Sequence, residues 1–228
     1  MTVHRLVLWD IDHTLVDLAG IGRSWYESAL RAMDVELHTH PVYAGRTERA
    51  ISTDALLAHG IEPSEDNIRT LWTYLIQLSE GSRDSLADVG RALDGSATII
   101  AELDRLGVAQ TVVTGNLPEI SRHKLIAFGL EQHLDLEIGG YGTISDDRSA
   151  LVTHAINAAS AKYGMFTPDQ VVVVGDTPND VRAATENGAV AVAVATGHYG
   201  VEELTAAGAT VVLADLADLD AARNAILQ

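Results

Sequence analysis

Apolar positions along the chain fall into two kinds of pattern. Five short runs, at 5–9, 109–113, 171–174, 190–194 and 210–213, are rich in valine and other strand formers. Unbroken apolar runs suit strands covered on both faces, whereas half-exposed strands alternate with polar residues. Helical patterns stand between the runs, among them 119–128 and 149–163. Strands alternating with helices predict a parallel sheet with right-handed crossovers. One stretch departs from this rhythm. From Val16 to about Ala87 only helical spacing is found, at 25–33, 47–59 and 64–78, with breaks at Pro41, Gly60 and Pro63. Roughly 70 helical residues inserted after the first strand predict a small separate domain. The expected class is therefore α/β: a Rossmann-like parallel sheet core formed by 1–16 and 88–228, with an all-helical insert at 17–87.

Composition adds limits rather than detail. The 228 residues include no cysteine, which removes disulfides, thiolate zinc sites and cysteine nucleophiles. A chain of this length builds its core without such staples. The net charge of -17, from 32 acidic and 15 basic residues, repels phosphate polymers and anionic membranes. Neither nucleic acid nor a membrane is an expected partner. No apolar run reaches the ~18 residues of a membrane span. An aspartate at position 10 arrives too soon for a signal-peptide apolar region, so a cytoplasmic location is expected. A phosphorylated ligand would need local positive charge, and a bound cation is one source of it.

In an open parallel sheet, ligands gather beyond the carboxyl ends of the strands. The residues after each run are therefore the informative ones. The first run is followed by Asp10-Ile11-Asp12-His13-Thr14, the second by Thr114-Gly115-Asn116, and the third by Gly175-Asp176-Thr177-Pro178-Asn179-Asp180. Four aspartates thus come from two strand ends, and a hydroxyl residue with a small turn residue comes from another. A carboxylate can attack phosphorus and split one hard hydrolysis into two easier steps. Clustered carboxylates suit Mg²⁺, a hard cation that shares oxygen ligands with phosphate.

These motifs resemble those of the haloacid-dehalogenase superfamily, a group that includes aspartate-nucleophile phosphatases. Asp10-x-Asp12-x-Thr14 matches the first signature, Thr114 the second, and Gly175-Asp176 with Asp180 the fourth. The resemblance spans essentially the whole chain. The helical insert is similar to the small cap of the phosphoglycolate-phosphatase and beta-phosphoglucomutase group. The resemblance implies that Asp10 is the nucleophile and a metal ligand. Asp12 would protonate the leaving group, then activate water, and would lend its backbone carbonyl to the metal. Asp176 would complete the protein ligands to Mg²⁺, with Asp180 supporting the metal directly or through water. Thr114, with backbone groups of Gly115 and Asn116, would hold the phosphoryl oxygens. An aspartate at position 12 favours phosphate chemistry over dehalogenation, which needs no leaving-group acid there.

The third signature of the family, a Lys or Arg often followed by Pro, is not obvious. The chain has two lysines, Lys124 and Lys162, and neither precedes a proline. Arg148 stands at the start of the helix before the fourth signature and is favoured over Lys124, which lies mid-helix. Arg148 would form a fork between phosphate and carboxylate, or would only pair with Asp146 or Asp147 at the surface. His13 replaces a glycine common in the family and has no implied role. His38 and His40 lack a third ligand and read as loop. Substrate choice is expected in the insert, where Arg46 or Arg49 would bind a second anionic group or merely open a solvated helix. Trp25 and Tyr26 would line the substrate cleft or, as their helical spacing favours, pack in the core of the insert, and 17–22 and 85–90 are hinge candidates. The expected activity is Mg²⁺-dependent hydrolysis of a small phosphorylated metabolite through an aspartyl-phosphate, by a monomer or homodimer. The alternatives are a phosphomutase or a non-catalytic binding module. The mutase signature carries an Arg three residues after its Gly, and Glu48 stands there instead, with Arg46 and Arg49 to either side.

Overall fold

The computed structural model describes residues 4–228. Its elements follow in chain order. β1 (Leu6–Trp9) and β2 (Val16–Asp17) precede α1 (Ile21–Ala32), α2 (Glu48–Ala58), α3 (Glu65–Ser82) and α4 (Leu86–Val89). Next come β3 (Arg91–Ala92), α5 (Ser96–Arg105), β4 (Ala109–Thr114), α6 (Pro118–Ala127) and β5 (Gly140–Tyr141). The chain ends with α7 (Arg148–Tyr163), β6 (Val171–Gly175), α8 (Pro178–Glu186), β7 (Val190–Val194), α9 (Val201–Ala206), β8 (Val211–Leu213) and α10 (Leu219–Leu227).

Six strands form one parallel sheet in the order β5-β4-β1-β6-β7-β8. β1 lies inside it, with Leu6 opposite Ala109 on one side and Val171 on the other. All four residues of β1 are fully buried. Leu6 and Leu8 pack with α7, α8 and α9, whereas Val7 and Trp9 pack with α5, α6 and α10. Two-sided burial is why these strands read as continuous apolar runs. Each fully buried Leu or Val contributes about 1.5–3 kcal/mol over its exposed state. The polar groups that enter this core are paired: Trp9 Nε1 donates to Gln110 Oε1 at 3.1 Å, and Gln110 Nε2 donates to the Ile100 carbonyl at 2.9 Å.

The five expected strands are present, with ends shifted by a residue at most. Three strands of two residues each, β2, β3 and β5, were not expected from the pattern. β2 and β3 pair with one another as an antiparallel ribbon. The chain leaves through β2, forms α1, α2, α3 and α4, and returns through β3. The long α3 starts with a full cap, Ser64 accepting from the Asn67 amide at 3.3 Å, and two acids in its first turn. Its buried Ile68, Leu71, Trp72 and Leu75 recur at helical spacing and meet Trp25 and Leu30 of α1 and Leu56 of α2 in one apolar cluster. Among the described residues, no helix is long and apolar enough to cross a membrane.

Candidate active site

The strand order turns at β1. Beyond its carboxyl end, and those of β4 and β6, the loops gather around a cavity of about 570 Å³ lined by Asp10, Asp12, Thr114, Asn116, Lys124, Arg148 and Asp176. Asp10 extends β1, its amide donating to the Val174 carbonyl at 2.8 Å. The following turn is closed by the amides of Thr14, Leu15 and Val16, all donating to the Ile11 carbonyl. His13 takes a φ of 59° in this turn, a left-handed conformation in which glycine is at ease. Its ring tilts against that of His198 at 5.2 Å.

Asp10, Asp176 and Asp180 are all buried, with one oxygen from each within 4.8 Å of the others. Arg148, the first residue of α7, enters this group from below and is only 3% exposed. Its Nη2 lies 2.7 Å from Asp10 Oδ1 and 2.7 Å from Asp180 Oδ1, and it donates to the Val113 carbonyl at 3.3 Å. Asp180 has a local task as well. Its Oδ2 accepts from the Thr177 amide and hydroxyl, at 3.1 and 2.6 Å, completing a capping box at the start of α8. Its Oδ1 is buried and makes no hydrogen bond of good geometry.

Burial raises the Asp10 carboxyl above the usual range. The charges of Asp180 and Asp12 add to this, and Arg148 opposes it. Asp176 is also raised, first by burial and then by Asp10 and Asp180. Such a cluster holds more negative charge than one guanidinium offsets. Three buried carboxylates converging on one point, one of their oxygens without a well-formed hydrogen bond, fit a hard divalent cation such as Mg²⁺.

Asp12 has the opposite balance. Burial acts to raise it, but Lys124 and Asn116 outweigh this and hold it below its ordinary value. Lys124 Nζ lies 2.7 and 2.6 Å from the two Asp12 oxygens and 2.8 Å from Asn116 Oδ1. Asn116 Nδ2 donates to Asp12 Oδ2 at 2.8 Å and to Thr114 Oγ1 at 2.7 Å. The two cations weighed for one role therefore sit at different carboxylates. Arg148 meets Asp10, and Lys124 meets Asp12.

The insert reaches the site through the loop before α2. The Glu48 amide donates to the Gly115 carbonyl at 2.8 Å, and the Arg49 amide to the Gly142 carbonyl at 3.0 Å. Asn179 Nδ2 donates to the Gly45 carbonyl at 3.0 Å. Gly115 must be a glycine, because a Cβ there would fall on the Arg46 carbonyl oxygen. Arg46 lines the cavity but its guanidinium pairs with Asp54. Arg49 turns away, to Glu65 at 3.0 Å, the Thr143 carbonyl at 3.2 Å and the face of Trp72. Trp25 and Tyr26 are buried in the insert and also border the cavity. His38 stacks on His59, and His40 faces Glu27 at 3.6 Å.

Sequence reasoning missed the buried contacts of Glu48, which accepts from the Tyr26 hydroxyl, and of Ser52, which accepts from Trp72 Nε1 at 2.9 Å. The signal available was the acid standing where the mutase signature has an arginine. It also missed that Lys124, expected mid-helix but found in the last turn of α6, reaches across to Asp12 on the turn after β1.

Comparison with known proteins agrees with this architecture. The family model for haloacid dehalogenase-like hydrolases matches residues 7–194. The chain is 28% identical over 227 residues to the tyrosine-protein kinase PtkA of Mycobacterium tuberculosis, covering 97% of this chain and 72% of that protein. It is 27% identical over 228 residues to a phosphoglycolate phosphatase of Chromobacterium violaceum, covering 94% of each. A crystal structure of a hydrolase from Pseudomonas syringae shares the fold at a TM-score of 0.72 and 21% identity, over 99% of this chain and all of that one. With its model matched over most of the length, and with acids at the ends of β1 and β6 brought to one cavity, the chain belongs to the haloacid dehalogenase-like hydrolase family.

Proposed function

We propose that the protein is a Mg²⁺-dependent phosphatase that hydrolyses a small phosphorylated metabolite through a phosphoryl group carried on Asp10. The observation that carries this reading is the pairing of two differently tuned aspartates on one turn. Asp10 sits with Arg148 and the Asp176–Asp180 cluster, and Asp12 sits two residues on with Lys124 and Asn116. Two carboxylates held in contrasting environments suit two roles.

In this reading Asp10 attacks phosphorus while Arg148 holds its carboxylate in line. Thr114 Oγ1 and the Gly115–Asn116 turn hold the phosphoryl oxygens. Asp10, Asp176 and the Asp12 backbone carbonyl would hold the cation, with Asp180 behind them. Mg²⁺, when bound, supplies the charge that offsets the phosphoryl oxygens. Once substrate draws Asp12 away from Lys124, its carboxylate takes up a proton from solvent, gives it to the leaving oxygen, and takes one from the attacking water in the second step. Residues 17–87 act as a cap, swinging about the ribbon of β2 and β3 to admit substrate and exclude water.

Hydrolysis of p-nitrophenyl phosphate with and without Mg²⁺, by wild type and Asp10→Asn, tests this. Activity should require both the metal and Asp10, with a loss on the order of a thousandfold or more in the variant. Activity that survives in Asp10→Asn removes the nucleophile assignment. A second reading, phosphoryl transfer from a nucleotide to protein tyrosine, is favoured by the identity to the kinase across 97% of this chain. It predicts Mg²⁺-dependent labelling of a tyrosine by γ-labelled ATP, with no release of nitrophenol.

A further inference from the structure

This inference rests on the phosphatase reading and concerns its leaving group. The cap places a second polar cluster beside the phosphoryl-binding loop, and transfer of a phosphoryl group makes no use of it. Glu48 lies in the first turn of α2, is 7% exposed, and is tied by its amide to Gly115. Its Oε1 accepts from the Tyr26 hydroxyl and, at 3.4 Å, from Ser52 Oγ. Ser52 is braced in turn by Trp72 Nε1. The carboxylate is thus fixed by residues of all three large cap helices. Among the described residues its Oε2 makes no hydrogen bond, although Glu48 borders the same cavity as Asp10 and Asp12.

A second unpaired group stands beside it. The Tyr43 hydroxyl is buried without a partner, and its ring meets that of Tyr26 edge-on at 5.5 Å. Tyr43 borders the cavity too. The cations near these two groups are otherwise engaged or peripheral. Lys124 is held by Asp12 and Asn116, Arg46 by Asp54, and Arg23 is exposed with its guanidinium 5.9 Å from the Tyr43 ring.

A fixed acceptor next to a phenol hydroxyl matches an alcohol, which donates to the first and accepts from the second. Above about pH 7, where Glu48 is ionised, an ester bearing a carboxylate would bring like charge against it. We propose that Glu48 and Tyr43 form the leaving-group subsite, and that it selects monophosphate esters of polyhydroxy alcohols over esters with a carboxylate near the phosphate.

Three-carbon esters separate the possibilities. At pH 8 with Mg²⁺ present, kcat/KM is measured for glycerol 3-phosphate, propyl phosphate and 3-phosphoglycerate, with phosphoglycolate as a shorter acid. Wild type should favour glycerol 3-phosphate at least tenfold over each of the others. Glu48→Gln and Tyr43→Phe should each shrink that ratio severalfold. Tyr43→Phe removes a hydroxyl with no hydrogen bond in the protein, so it guards against loss of folding in the first variant. Equal or higher turnover of the carboxylate esters by wild type, or a ratio unmoved in both variants, would overturn the subsite. Calorimetric binding of the same esters to the Asp10→Asn protein ranks them without turnover. An ordered ranking there, together with a wild type that hydrolyses none of the esters, would sink the phosphatase reading and leave the subsite standing, whereas no preference would sink the subsite.

Discussion

Glu48 illustrates how a single burial decision is felt in solution. Burial pushes its carboxyl up to about 7, the charge of Asp12 adding to this while Tyr26, Ser52 and Lys124 work against it. Because the folded-state value lies above the unfolded one, its contribution to stability is full below about pH 4.5 and is lost as pH rises through about 7. Glu48→Gln keeps an acceptor for Tyr26 but does not ionise. Urea unfolding should therefore show the variant gaining on wild type between pH 5 and 8, by at most on the order of 3 kcal/mol. A difference that stays flat with pH would show that Glu48 is ionised throughout. The residue scale was also where the sequence was least legible. Asp10, Asp12, Asp176 and Thr114 could be picked out because they end apolar runs. Lys124 could not be placed, because its partner on the turn after β1 is more than a hundred positions away and α6 offers several equivalent faces.

At the scale of elements, the seam between the loop before α2 and the strand-end loops depends on close backbone approach. Gly45 has a φ of 65°, and a Cβ there would come 2.6 Å from Thr177 Oγ1, the same hydroxyl that hydrogen-bonds Asp180. Gly45→Ala combines a left-handed strain of about 1 kcal/mol with that clash. It should lower kcat/KM by roughly ten- to a hundredfold, the scale expected when a catalytic group is misplaced by about an ångström. The unfolding midpoint should move only slightly, since the sheet is untouched. A large loss of stability with full activity per folded molecule would mean the seam is structural only. The main strands were legible from sequence because both of their faces are buried, which leaves unbroken apolar runs. β2, β3 and β5 were not, because two residues carry no period and their pairing is set by neighbours such as Val113 opposite Gly140.

For the whole molecule, three of its acids are gathered at one buried point. The raised carboxyls of Asp10 and Asp176 mark a site under strain from its own charge. Mg²⁺ should therefore raise the unfolding midpoint at pH 8, reflecting a gain in unfolding free energy of about 2.7 kcal/mol at a hundred times its dissociation constant. Asp176→Asn should lose most of that gain while being more stable than wild type without metal. A midpoint in wild type that ignores Mg²⁺ would count against a metal site in the cluster. The sheet order has a further consequence, in time rather than in energy. β1 finds both of its partners far along the chain, Leu6 opposite Ala109 and Val171. At synthesis speeds of about 5–20 residues per second, the strand bearing the nucleophile waits roughly 5–20 s for β4 and longer for β6. Until then it is an apolar segment without a ladder, while the helices of the insert, whose contacts are local, have everything they need to form. A nascent chain of this protein would thus carry finished insert helices beside a site that does not yet exist.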